Sequence, residues 1–176
     1  MGFVASVETD VGDYLRVLHP DGQLGGKPLL SLLTALSDFC SASSDTARDL
    51  RTWFVHLEAH LQGSICTVIA PLLHAHYDGE WDYRADEYAL FQQRSPQMPL
   101  TEAEFRQILD QIAVRWGELE QVRSAVTTLL QVLTDVQPEA TWWYDPDWTL
   151  RDLQALSQTL SLAGERQARQ VRIQFT

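Results

Sequence analysis

The sequence predicts an all-α fold: a bundle of five to six helices, two of them long and antiparallel, with a minor β element where the two ends of the chain pair. Apolar residues recur every three or four positions over residues 46–76 and again over residues 101–136. That spacing places them on one face of a helix. The 176 residues, 45% hydrophobic and 21% charged, have the composition of a globular chain. We therefore expect one helical domain over residues 1–176.

Residues 1–26 are expected to form an N-terminal segment and a loop. Apolar residues alternate weakly with polar ones in FVASV, and a short helix is expected over residues 10–19, ended by Pro20. The glycines and prolines of PDGQLGGKP indicate the loop. The helical core then covers residues 27–163 and begins with the apolar stripe of PLLSLLTALSDFC.

The two long runs differ in how firmly the sequence defines them. An unbroken helix over either run would be roughly 50 Å long, whereas a compact domain of this size is roughly 40 Å across. Either the molecule is elongated, or the first helix breaks near Gly63, with Pro71 as a second weak point. Thr101 and Glu104 form a capping box that predicts the start of the second run.

The last helix and the C-terminal tail complete the predicted core. Thr149 and Asp152 predict the start of a helix over residues 150–163. In the tail, residues 164–176, Val171, Ile173 and Phe175 alternate with polar residues as in a strand. Because a lone strand is unstable in water, we expect it to pair with the N-terminal stretch or with the sheet edge of a partner.

The net charge of −11 limits the classes of partner. Lys27 is the single lysine, and the only candidate for a basic patch that could neutralise phosphates is the tail, with Arg166, Arg169 and Arg172, so direct nucleic-acid binding is not expected. An acidic surface instead steers a protein toward basic partners. We expect a protein partner that is basic or part of a larger complex, and the apolar faces of the long helices also suggest self-association.

Two further features bear on location. The sequence has no apolar run of about 18 residues and no signal-peptide pattern at its start, so we expect no membrane contact and a cytoplasmic location. Cys40 and Cys66 lie in apolar, helix-like segments without a CxxC neighbour, which favours buried free thiols.

An aromatic and acidic stretch, TWWYDPDW, precedes the last helix. It either plugs one end of the bundle or forms an exposed anchor for a basic, partly apolar partner, because tryptophan and tyrosine dominate binding hot spots. A second acidic stretch, YDGEWDYRADEY, has the same composition. The predicted partner-binding residues are Trp142, Trp143, Tyr144, Trp148, Asp145, Asp147, Glu80, Trp81 and Asp82.

In the segment RTWFVH, four residues separate Arg51 from His56. This Arg-x4-His spacing resembles the short motif of the HEPN-type ribonucleases, which are also small helical proteins. The resemblance covers six residues and implies that Arg51 and His56 form an acid/base couple acting on RNA.

His56 and His60 lie four residues apart in HLEAH and share a helix face, which is a spacing that metal sites use. Further ligands are missing from the adjacent sequence, so a metal-binding bundle is an alternative and no cofactor is expected. No catalytic motif such as GxSxG or a P-loop is present. The sequence thus favours a non-catalytic interaction module, a subunit, adaptor or immunity- or antitoxin-like protein of a bacterial assembly, over a HEPN-like ribonuclease.

Overall fold

A computed structural model of the chain describes residues 3–41, 47–77, 85–113 and 116–176. It is a mixed α/β fold, so the all-α prediction is wrong. The helical periodicity does correspond to helices in the middle of the chain. The two ends, however, form a sheet that belongs to the core rather than a minor addition to a bundle.

The sheet is built around the C-terminal strand. Strand β5 (Gln170–Phe175) pairs antiparallel with β1 (Ala5–Thr9) on one side, with Val7 opposite Ile173. On its other side β5 pairs with the two-residue strands β3 (His76–Tyr77), parallel, and β4 (Gly117–Glu118), antiparallel. The pairing of the two ends, one of the two arrangements expected for the tail, therefore organises the whole sheet.

Strand β2 (Tyr14–Arg16) replaces the short helix that was expected over residues 10–19. It pairs antiparallel with β1 through a tight turn in which Gly12 has φ 88°. Leu15 is buried while Tyr14 and Arg16 are exposed. This alternation has the period of two that a half-buried strand requires, and it outweighs the apolar content that suggested a helix.

Seven helices occupy the described residues. Their bounds are α1 Lys27–Ser41, α2 Ala47–Leu61, α3 Ile65–Ala75, α4 Ala85–Arg94, α5 Glu102–Ala113, α6 Leu119–Val136 and α7 Pro146–Glu165. The capping box at Thr101 is confirmed, because its amide donates to the Glu104 carboxylate and its hydroxyl accepts from the Glu104 amide. The Thr101 amide and hydroxyl both donate to the Glu104 carboxylate, and these hydrogen bonds lower its pKa.

Neither of the predicted long helices is continuous. The first ends at Leu61, Gln62 takes a left-handed conformation (φ 54°), and α3 begins at Ile65, so the break lies at Gly63 as the second alternative expected. The second run is divided into α5 and α6. Self-association through the helices stays a prediction.

The core lies between the sheet and the helices α1, α3, α6 and α7. Leu129 and Leu133 of α6, Leu156 and Leu160 of α7 and Ile173 of β5 are almost completely excluded from solvent. Among the described helices, none combines the length and the apolar character needed to cross a membrane.

Cys40 and Cys66 are joined in a disulfide between α1 and α3, so the prediction of free thiols is wrong. Their Cα atoms are 5.5 Å apart, within the range that a disulfide spans. Only the fold could show this, because the two residues are 26 positions apart and nothing in their local sequence relates them. The closed segment carries α2, which forms one wall of the site described below.

Candidate functional site

A cleft of about 810 Å³ lies between α2 and the connection that joins α6 to α7. One wall consists of Thr52, Trp53, His56 and His60 from α2, and the other is the continuous run of residues 136–143. The cleft thus brings together two sequence features that were considered separately, the histidine pair of HLEAH and the tryptophans of TWWYDPDW. A cavity of this size lies within the range of ligand sites, roughly 300–1,000 Å³.

The connection has a defined backbone because several local caps hold it. Gln137 ends α6 in a left-handed conformation (φ 46°), and its amide donates to the carbonyl of Leu133. The hydroxyl of Thr141 accepts from the amides of Trp143 and Tyr144, which forms a tight turn. Asp145 then caps α7 by accepting from the amide of Trp148.

The start of α7 corrects the sequence prediction. The helix begins at Pro146, with Asp145 as its cap, rather than near residue 150 with a capping box at Thr149. Proline fits the first helical position because its missing N–H would lack an intrahelical partner there in any case. Asp152, the expected capping partner, lies in the second turn of α7, and its side chain is buried.

The aromatic stretch serves both of the roles considered for it. Tyr144 is 1% exposed and belongs to the core, while Trp143 is half-buried with its ring centroid 4.9 Å from that of Trp53. Trp142, in contrast, is 90% exposed at the wall of the cleft. Trp148 stacks on His19 with centroids 6.0 Å apart and is 41% exposed. The turn at Thr141 explains the division, since it directs adjacent tryptophans to different environments.

Burial, together with the nearby carboxylates of Asp145 and Asp147, raises the pKa of Tyr144 to about 12. The two aspartates are exposed beside the cleft region, at the start of α7. They therefore contribute negative charge to the surface there, while the tyrosine stays neutral and packs.

The polar side chains that line the cleft include two histidines and one carboxylate, together with Thr52, Gln137 and Thr141. Nε2 of His60 lies 3.3 Å from Oδ2 of Asp135, and both side chains are partly exposed. His56 and Glu139 are exposed on opposite walls. Within the described residues, no lysine or arginine lines the cleft. The lining thus combines three tryptophans with the Glu139 carboxylate.

The remaining predicted site residues are placed as follows. Glu80, Trp81 and Asp82 lie outside the described residues. Arg51 lies in α2, but its side chain is outside the described part, so its geometry relative to His56 is not defined. His56 and His60 do share a wall, yet the described side chains contain no group of three or more metal-ligating residues placed to hold an ion.

Sequence reasoning missed a buried polar cluster at the start of α1. Nε2 of His19 lies 2.6 Å from Oδ1 of Asp152, and both side chains are 1% exposed. Oδ2 of Asp152 accepts from the amides of Gly26 and Leu29 at 3.1 and 3.2 Å. Asp152 of α7 therefore caps α1 from outside that helix. Because the cluster is closed to solvent, its role is to hold α1, α7 and the 17–26 segment together.

The signal that could have pointed to this cluster is weak. Asp152 falls on the apolar face of α7, between the buried Thr149 and Leu153, and a buried carboxylate requires partners. His19 alone gave no indication of being that partner, since it lies 133 residues away.

No protein-family model matches this chain, and neither do the curated proteins or the solved structures with which it was compared.

Proposed function

We propose that the protein is a non-catalytic interaction module whose cleft docks a basic segment of a partner protein. The observation that carries the proposal is the 90% exposure of Trp142 beside an 810 Å³ cleft. The proposed biological setting is that of a subunit, adaptor or immunity- or antitoxin-like protein of a bacterial assembly. In each of these settings the cleft would recognise the positive charge of the partner and would contact an apolar part of it through Trp142.

Two physical arguments support this use of the cleft. Tryptophan is the residue most enriched in binding hot spots, and its energetic effect is greatest where a rim of neighbouring groups excludes water from it. The chain's net charge of −11 attracts a basic partner over long range and increases the association rate at low salt. One carboxylate, that of Glu139, lies on the same cleft wall as Trp142.

The test compares matched variants in a purification from the native host. Trp142→Ala removes the anchor, whereas Val55→Ala removes an apolar side chain that is also exposed on α2 (55%) but is absent from the cleft lining. We expect a basic partner to be retained by the wild type and by Val55→Ala and to be lost with Trp142→Ala. Unchanged circular dichroism would show that the loss is not due to unfolding. Equal partner recovery with both variants would refute docking at the cleft.

A second candidate, the HEPN-like ribonuclease, keeps one observation in its favour: His56 is exposed on the wall of the cleft. The purified chain can be assayed with single-stranded RNA, together with Arg51→Ala and His56→Ala. Cleavage that disappears in both variants would establish an enzyme. Cleavage that persists in both would indicate a contaminating nuclease and would remove this candidate.

A cytoplasmic location is part of the same proposal, and the cysteine pair provides its test. Disulfides are rare in the reducing cytoplasm, so the Cys40–Cys66 disulfide of the structure counts against this location. A cytoplasmic protein should have the pair reduced when intact cells are treated with a thiol-trapping reagent. A fully oxidised pair at the moment of trapping would argue against this location.

A further inference from the structure

We infer that the group the cleft takes from its partner is an arginine side chain, stacked on Trp142 and paired with Glu139. The inference rests on the proposed function, and it adds the chemical identity of the contact. It comes from two other tryptophans of the chain, each of which has an arginine over its ring.

The first internal example is Trp148, at the start of α7. The guanidinium carbon of Arg151 lies 4.7 Å from the centroid of the Trp148 ring. The same arginine donates from Nη2 to Oδ2 of Asp21 at 2.6 Å. The indole is thus covered by a cation, and a carboxylate holds that cation in place.

The second example is Trp116, just before β4. Arg172 of β5 has its guanidinium carbon 5.1 Å from the centroid of this ring. Arg172 donates from Nε to Oε2 of Glu8 at 2.7 Å, and its Nη2 lies 2.6 Å from the same oxygen. Two separate parts of the fold therefore repeat one arrangement of indole, guanidinium and carboxylate.

Trp142 and Glu139 supply two members of this arrangement and lack the third. Both line the cleft, three positions apart on the connection. Within the described residues, Trp142 has no ring or cation partner and Glu139 has no ion pair. Trp53 and Trp143 have packed against each other instead and present apolar surface beside them. A guanidinium from another molecule would complete the group.

The geometry favours arginine over lysine. A guanidinium is planar, can lie flat on an indole and can pair with a carboxylate through two N–H groups at once, whereas an ammonium is a compact, strongly hydrated charge. The cleft volume of about 810 Å³ also exceeds what one side chain fills, so neighbouring residues of the partner would enter with it. An apolar neighbour would contact Trp53 and Trp143.

The test uses short blocked peptides and the full-length chain. The probe is Gly-Arg-Leu-Arg-Gly, compared with versions in which both arginines are replaced by lysine or by the neutral isostere citrulline. Binding is followed by the NMR shift of the Trp142 indole N–H at low salt. We expect the arginine peptide to bind roughly threefold more tightly than the lysine peptide and roughly tenfold more tightly than the citrulline peptide.

Variants of the chain then locate the contact. Calorimetry should show that Trp142→Ala lowers the affinity for the arginine peptide by a factor of roughly ten or more. Glu139→Gln should lower that affinity by about threefold to tenfold. The charge-matched control is Glu165→Gln, at the far end of α7 about 29 Å from its start by helix geometry, which should leave binding unchanged. Because Trp142, Glu139 and Glu165 are all exposed, we expect these variants to fold like the wild type.

The outcomes separate this inference from the proposed function. Equal binding of the arginine and citrulline peptides, no binding of the arginine peptide at millimolar concentration, or no effect of Trp142→Ala would each overturn the arginine contact. If the host partner is nevertheless lost with Trp142→Ala, the docking function stands and its anchor is apolar. If partner recovery is also insensitive to Trp142, both proposals fail.

Discussion

Replacing Asp152 with alanine tests whether the buried polar cluster joins α1 to the rest of the fold. In the structure this carboxylate receives the imidazole of His19 and the amides of Gly26 and Leu29. Asp152→Ala removes the acceptor and leaves these groups buried. The side chain is small and polar, so the effect comes from lost hydrogen bonds more than from a cavity.

The magnitude follows from the groups left behind. A buried donor that loses its acceptor costs about 1–3 kcal/mol, and the Asp152 carboxylate is in contact with three such groups. Because one carboxylate supplies all three contacts, these costs overlap, and we expect the free energy of unfolding to fall by about 4 kcal/mol. For a chain of this length that corresponds to a decrease in Tm of about 8–16 °C.

Urea denaturation and thermal melts of the wild type and of Asp152→Ala measure the effect. The control is Asp21→Ala, which removes an aspartate paired with Arg151 at the surface and should cost less than about 1 kcal/mol. His19→Leu combined with Asp152→Ala should be less damaging than the sum of the single changes, by roughly 1–3 kcal/mol. A loss below about 1 kcal/mol for Asp152→Ala, matching the surface control, would refute the buried capping role.

Three further changes test other parts of the fold. Replacing Cys40 and Cys66 by serine should lower the free energy of unfolding of the oxidised protein by about 3.5 kcal/mol, from the chain-entropy model for this loop, and should not affect the reduced protein to that extent. Gly26→Ala places a Cβ 1.8 Å from a backbone carbonyl oxygen, whereas the Cβ of Gly63→Ala is 4.0 Å from its nearest atom. Denaturation should therefore show that the free energy of unfolding falls by about 3 kcal/mol for Gly26→Ala and hardly changes for Gly63→Ala. Because the pKa of Tyr144 is raised from 10.0 to about 12, the unfolded chain loses this proton at lower pH, so stability present below pH 10 should fall by up to about 2.7 kcal/mol as the pH rises to about 12. Tyr144→Phe should flatten that pH dependence, and an unchanged slope would contradict the assignment.

Local signals in the sequence were reliable where a single turn or cap decides the structure. The capping box of Thr101 and Glu104 forms as predicted, because its hydrogen bonds join residues three positions apart. The break at Gly63 appears because Gln62 turns into a left-handed conformation there. The strand at the C-terminus follows from its alternation, with Val171 and Ile173 both buried.

The same signals failed where the partner of a segment lies far away in the chain. Residues 10–19 contain enough apolar residues for a helix, but the strand β1 was available to pair with them, and strand pairing decided their conformation. The strand β5 was expected to be peripheral and is central, since it has neighbours on both sides. Asp152 was expected to cap its own helix and instead caps α1.

For the candidate site, the sequence by itself determined the composition and the local features: an acidic chain with one lysine, a dense aromatic stretch and a histidine pair on one helix face. Tertiary structure decided how they are used. It set Trp142 outside and Tyr144 inside, joined Cys40 to Cys66, and placed His56 and His60 across a cleft from Glu139. The physical reason is that composition and periodicity act between neighbours along the chain, whereas burial, pairing and clefts depend on which distant segments meet.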